Sequence, residues 1–370
     1  MNFKKISCIL IMFSLFINLS YAVELAGWIN DTADMINKGF KKYADNNELF
    51  TEINPYWYNI GTSDYGDGAY KVDGSIYQRD VYNIDGQGAS IVNKAHDNGT
   101  LVLPTIADGW IPDTTSGSQI EQIINNPEAR QTLIDNLVND AVKYNFDGWD
   151  LNFEASPIVD GRKTFPLFIE DLAIALDAKG KKLSVTIKCV NESDEGFELF
   201  DIEKIGQVSQ VWRFKIMGFD NNFDKGADVP NAIAKYDWLD ECLNYMIIEK
   251  GLPASKTQLG LHNFVRIWKK TGENSYQADS VNFRSYEWLR EQYTGPLNWE
   301  DDTKESWVDF TYQNSTYRAY IGDAKTVSKR LRLLRHDKYG LAGLTFWVLE
   351  AEDDQIYQEI ANWELSQTGG

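Results

Sequence analysis

Asp150, Asn152 and Glu154 occupy every second position of an otherwise apolar run, Phe146-Asp147-Gly148-Trp149-Asp150-Leu151-Asn152-Phe153-Glu154. Side chains alternate across a β-strand, so these three polar groups share one face. Trp149, Leu151 and Phe153 share the other. Burying a carboxyl without a partner is costly, and active sites are where such polar stacks concentrate. Neighbours on one face lie ~6–7 Å apart along the strand. Glu154 is therefore outermost and Asp150 deepest. Ala155-Ser156-Pro157 follows as the start of a loop, which puts Glu154 at the mouth of a cleft, where an acid can donate a proton to a bound substrate.

A glycosidase built on two carboxylates needs the second one across the cleft from the acid. Here the nearest candidates sit on the same strand as Glu154. That placement suits a substrate-assisted reaction, in which the 2-acetamido oxygen of the sugar attacks its own anomeric carbon and the protein orients it. The polar face thus predicts one acid above an amide rather than two opposed acids.

The strand needs a scaffold, and the rest of the chain supplies a repeating pattern. Apolar runs recur at Leu25 to Ile29, Phe50 to Tyr58, Leu101 to Ile106, the run ending at Glu154, Leu183 to Val190, Val211 to Phe219, Thr257 to His262 and Leu341 to Leu349. Between them, Glu128 to Tyr144, Phe165 to Lys179, Ala232 to Lys250 and Lys325 to Lys338 carry apolar residues at helical spacing. Alternating strands and helices build a parallel sheet. Eight strands over this length predict a closed (β/α)8 barrel, and no glycine-rich phosphate loop supports an open doubly wound sheet. Residues 264–324 are too long for an ordinary connection. They read as a small inserted α+β subdomain on the rim between strands seven and eight, with a hairpin around Gln313-Asn314-Ser315.

Residues 1–22 read as a signal peptide. Lys4 and Lys5 precede an apolar stretch, and Ser20-Tyr21-Ala22 places small residues at the cleavage positions. Residues 23–370 are then the catalytic barrel, secreted or periplasmic, with no membrane span after cleavage. The net charge of −19 opposes binding to nucleic acid or anionic lipid and fits a neutral glycan. Scattered His and Cys show no metal spacing, so no metal and no cofactor are expected. Cys189 and Cys242 can pair or remain buried thiols. A monomer is expected.

At this point the run Asp147 to Glu154 resembles the signature Asp-Gly-x-Asp-x-Asp-x-Glu of family 18 glycoside hydrolases. Met217-Gly218-Phe219-Asp220 resembles the family's strand-six Met-x-Tyr-Asp. Gly343-Leu344-Thr345-Phe346-Trp347 resembles its last strand, and Asp108-Gly109-Trp110 its Gly-Gly-Trp. The resemblance implies Glu154 as acid and then base, position 152 as the residue that orients the acetamido group, and Asp150 as electrostatic support. It implies that Asp147 holds the start of the strand. Asp220, Phe219 and Met217 would contact the sugar, Trp347 would stack beneath it, Trp110 would lie on the leaving side and Tyr58 would line the cleft. Asn54 to Tyr58 look like the cortex-hydrolase branch. The implied substrate is a glycan containing N-acetylglucosamine, chitin first, with peptidoglycan, N-glycans and a non-catalytic chitin lectin as alternatives.

Two residues depart from the family pattern. Asn152 replaces an Asp, keeping an acceptor but no charge. Phe219 replaces a Tyr, and losing an oxyanion-type donor typically costs ~10²–10³-fold in rate. Lys215 shares parity with Met217 and Phe219, and Lys188 ends its own strand. One of them is expected to neutralise Asp150, with its Nζ within about 4 Å of the carboxylate.

Overall fold

The computed structural model describes residues 23–30, 33–61, 71–79, 84–108, 118–154, 159–193, 199–220, 229–279 and 283–368. The strands in chain order are β1 (Glu24–Ile29), β2 (Glu52–Ile60), β3 (Ile76–Gln78), β4 (Leu101–Val102), β5 (Thr105–Ala107), β6 (Gly148–Asn152), β7 (Lys182–Lys188), β8 (Arg213–Met217) and β9 (Thr257–His262). They continue with β10 (Val265–Lys270), β11 (Tyr276–Ala278), β12 (Asn298–Glu300), β13 (Glu305–Tyr312), β14 (Ser315–Ile321) and β15 (Gly343–Trp347). The helices are α1 (Ala33–Asp45), α2 (Ala89–Asp97), α3 (Gln119–Asn125), α4 (Pro127–Lys143), α5 (Gly161–Asp177), α6 (Ile202–Gly206), α7 (Tyr236–Leu243), α8 (Tyr286–Gln292), α9 (Ala324–Arg330) and α10 (Gln355–Thr368).

The parallel sheet runs β1-β15-β9-β8-β7-β6-β5-β2, and β1 pairs with β2 to close it. This is the (β/α)8 barrel that the alternating pattern predicts. Pro104 has no N–H for the ladder, so the third barrel strand is split into β4 and β5. The paired part of β6 ends at Asn152, which leaves Glu154 free of the sheet at its carboxyl edge. Gly148 is required by packing, because a Cβ there would lie 1.9 Å from the Lys182 carbonyl oxygen on β7.

The outward side chains of β6 face the helices. Trp149 donates its indole N–H to the Leu137 carbonyl of α4 at 2.7 Å, and Phe153 packs against Phe165 and Phe168 of α5. α4 opens with Pro127 behind an Asn126 cap that accepts from the Glu128 and Ala129 amides, a standard start signal. Cys189, one residue past β7, is disulfide-bonded to Cys242 on α7. The pairing that the sequence left open is therefore made.

Between β9 and β15 lies a second, antiparallel sheet of order β11-β10-β14-β13-β12. The β13–β14 hairpin turns at Gln313 and Asn314, both at positive φ (47° and 59°), the twist such turns need. One face packs Val265, Ile267, Val308 and Phe310 against Leu289 and Trp288 of α8. The other presents Trp268, Tyr320 and Trp307 to a cluster that includes Phe264, Val348, Phe219 and Trp347. Glu305 of β13 joins this sheet to the barrel. It is fully buried, accepts from the Ile233 and Ala234 amides, and pairs with Arg330 of α9 at 3.1 Å.

Candidate active site

The inward face of β6 forms the floor. Asp150 is wholly buried and surrounded by donors. Its Oδ2 accepts from the Trp28 indole N–H at 2.8 Å and the Thr105 hydroxyl at 2.9 Å. Its Oδ1 accepts from the Thr186 hydroxyl at 3.1 Å and lies 3.3 Å from Lys215 Nζ. Lys215 is the lysine that reaches Asp150, inside the expected distance. Its ammonium also donates to Glu52 Oε1 and Asn54 Oδ1, each at 2.6 Å.

Asn152 stands one layer higher. Its Nδ2 donates to the Tyr56 hydroxyl and to Glu154 Oε1, both at 3.2 Å. Its Oδ1 is buried and accepts no hydrogen bond among the described residues. Glu154 is exposed at the rim, and its backbone N–H donates to Asp108 Oδ1 at 3.1 Å. The three polar groups of the motif thus descend from solvent to core in the order Glu154, Asn152, Asp150.

Trp347, half-buried at the end of β15, meets Trp28 and Tyr56 edge-on with ring centroids 6.2 and 5.9 Å apart. The Arg79 guanidinium lies 5.5 Å from the Tyr56 ring. Asp147 sits at the opposite end of β6. Its Oδ2 accepts from the Val102 amide and contacts His96 Nε2, each at 2.8 Å. Met217 and Phe219 are half-buried at and just past the end of β8. Phe219 packs into the cluster beside Trp347. Asp220, at φ 63°, is ion-paired with Arg266 of β10 at 2.5 Å. Trp110 lies outside the described residues.

Tyr58 does not line the cleft. It is 1% exposed and packs on Trp149 and Phe146 beneath the helices. Its hydroxyl is bonded to Asp140 and Gln78, and burial pushes its phenol well above the ordinary range. The cause is a register shift between β2 and β5, where Tyr56 pairs with Thr105 but Tyr58 pairs with the very next residue, Ile106. One extra residue in a strand reverses the parity of all that follows. Tyr56 therefore faces the site and Tyr58 faces outward. Tyr56 and Trp28 are the site residues that parity alone could not assign. Among the described residues, no grouping of His, Cys, Asp and Glu could hold a metal ion, and no helix is long and apolar enough to cross a membrane.

Residues 33–352 match the family model described as glycosyl hydrolases family 18. The chain is 22% identical over 251 residues to the Bacillus subtilis glycosylase YvbX, covering 66% of this chain and 69% of that one. Among solved structures, it superposes on the Bacillus megaterium spore cortex-lytic enzyme SleL with TM-score 0.73 and 18% identity, covering 92% of this chain and 73% of that chain. A chitinase from Chromobacterium violaceum gives TM-score 0.72 and 20% identity, covering 93% and 99%. At such identities the superpositions speak to the fold.

Proposed function

The chain belongs to the glycosyl hydrolases of family 18, and from that premise we propose that it cleaves the β-1,4 bond following an N-acetylglucosamine residue, with retention, by a substrate-assisted route. Glu154 protonates the leaving oxygen and then activates water. The Asn152 side chain orients the 2-acetamido group, whose oxygen closes on the anomeric carbon. Asp150 supplies negative charge below.

The buried Oδ1 of Asn152, which accepts no hydrogen bond among the described residues, carries this reading. Buried polar atoms are nearly always hydrogen-bonded, and the N–H of an acetamido group is a donor of the right kind. The amide nitrogen is already held by Tyr56 and Glu154, which favours the orientation that offers oxygen to the substrate. Asp150 is a poor nucleophile, because both its oxygens are taken by protein donors. The aromatic wall of Trp347 and Trp28 suits stacking on a sugar face.

Chitin and chito-oligosaccharides are the first substrates to test. Peptidoglycan is the second reading, carried by the resemblance of Asn54 to Tyr58 to the cortex-hydrolase branch; an N-glycan core is third. The signal-peptide reading of residues 1–22, together with the Cys189–Cys242 disulfide, supports an exported enzyme, since such bonds persist in oxidising compartments.

Wild type and Glu154→Gln assayed on chito-oligosaccharides, peptidoglycan and an N-glycopeptide decide the matter. The expected result is turnover of one substrate by wild type and its loss in Glu154→Gln. Binding of a glycan with no turnover by wild type would instead establish the lectin-like alternative.

A further inference from the structure

Beneath Asn152 the barrel axis is filled by charge. Asp150 contacts Lys215, Lys215 contacts Glu52, and the Glu52 carboxylate also accepts from Asn54 Nδ2 at 2.8 Å and from the Trp212 indole at 3.3 Å. Below them Arg213 pairs with Glu24. Among the described residues, three carboxylates face two cations there, a formal excess of one negative charge under the site. Lys215 has no exposed surface at all, and an ammonium is buried this deeply only with close partners.

We propose that Lys215 is a positioning residue that makes an amide, rather than a second acid, the productive side chain at position 152. The inference rests on the substrate-assisted reading above. An acid at 152 would stand directly between Asp150 and Glu154, and neighbouring carboxylates relieve their repulsion by sharing a proton. A shared proton needs a free acceptor direction on Asp150. A carboxylate offers about four such directions, and Trp28, Thr105, Thr186 and Lys215 occupy both oxygens. Asp150 thereby has no acceptor direction left for a second acid. Asn152 needs no proton, orients the acetamido group as a neutral amide, and leaves the excess negative charge of the axis to balance the positive charge that develops on the sugar. Lys215 and Asn152 are two halves of one substitution.

The test is the sign of a single change in two backgrounds. Asn152→Asp is introduced into wild type and into Glu52→Gln/Lys215→Met, where Glu52 is neutralised and Asp150 alone loses its cation and so regains an acceptor direction for an acid at 152. Melting curves establish that each variant is folded, and kcat and KM are measured separately on the glycan that wild type cleaves. Asn152→Asp is expected to lower kcat about 10-fold or more in wild type and to raise it about 10-fold in the lysine-free background, with KM little changed. A merely structural lysine would not reverse the sign. The same direction of change in both backgrounds, with turnover still dependent on Glu154, overturns the role of Lys215 alone. Absence of any Glu154-dependent turnover in wild type removes the substrate-assisted reading and this inference with it. If no lysine-free variant folds, Asn152→Asp in wild type decides: a gain in kcat overturns the proposal and a loss supports it.

Discussion

The Tyr56 hydroxyl accepts a hydrogen bond from Asn152 Nδ2 at 3.2 Å, while Tyr58, two residues on, faces away from the cleft and bonds Asp140. The pair makes a matched control. Tyr56→Phe removes one of two anchors of the Asn152 amide and frees it to rotate. It is expected to lower kcat about 10-fold, in keeping with the loss of an orienting hydrogen bond at a reacting group. Tyr58→Phe is expected to leave kcat unchanged and to cost about 1 kcal/mol of stability. Steady-state kinetics and melting on both variants check the contrast, and equal effects of the two on kcat would count against the assigned orientations.

Glu350 follows the last barrel strand in a buried position, at φ 104°, with neither carboxyl oxygen hydrogen-bonded among the described residues. Burial, reinforced by the charge of Glu352 and opposed by Lys38, pushes its carboxyl up to about 9. The folded protein therefore keeps a proton that the unfolded chain releases at an ordinary carboxylate value. Between those two values stability falls as pH rises, by up to ~1.4 kcal/mol per unit. Glu350→Gln removes this dependence. The melting temperature of the variant relative to wild type is expected to climb steadily from pH 5 to pH 8; a pH-independent difference would exclude the effect.

Glu305 behaves in the opposite sense. Burial alone would raise its carboxyl, but His262, 3.4 Å away, and the Arg330 guanidinium outweigh burial and hold it below the ordinary range. Its contribution is fully present above the ordinary carboxylate value and is lost as pH falls through the depressed one. Glu305→Gln leaves Arg330 buried without its counterion and is expected to cost about 3–5 kcal/mol at pH 7. Denaturant titrations at pH 7 and pH 3 should show that cost shrinking in acid.

The Cys189–Cys242 bond closes a loop of 53 residues between the end of β7 and α7. A cross-link over such a loop is worth about 4 kcal/mol through the unfolded chain. Reduction, or the paired change Cys189→Ser with Cys242→Ser, is expected to lower the urea midpoint without abolishing the barrel. An unchanged midpoint would show that the tether adds nothing.

The alternation in Phe146 to Glu154 was enough to place Asp150, Asn152 and Glu154 on one face, because β6 is regular and a strand's period of two leaves no freedom. The expectation that Tyr58 lines the cleft was wrong, because the alternation of β2 is broken by a bulge, which is a property of the pairing with β5 and not of the residues in β2. Local pattern likewise reached the hairpin at Gln313 and Asn314, whose short polar turn carries its own signal.

The sequence by itself determined what depends on neighbours along the chain: the eight-strand repeat, the rim insertion, the order of polar groups along β6 and the inward parity of Lys215. Tertiary structure alone decided what depends on distance through space. It brought Glu52 and Asn54 to Lys215 from a strand more than 150 residues earlier, joined Cys189 to Cys242, and set Glu305 on Arg330. Barrel closure is the physical reason, since pairing β1 with both β2 and β15 converts separate inward faces into one enclosed axis where buried charges must find each other.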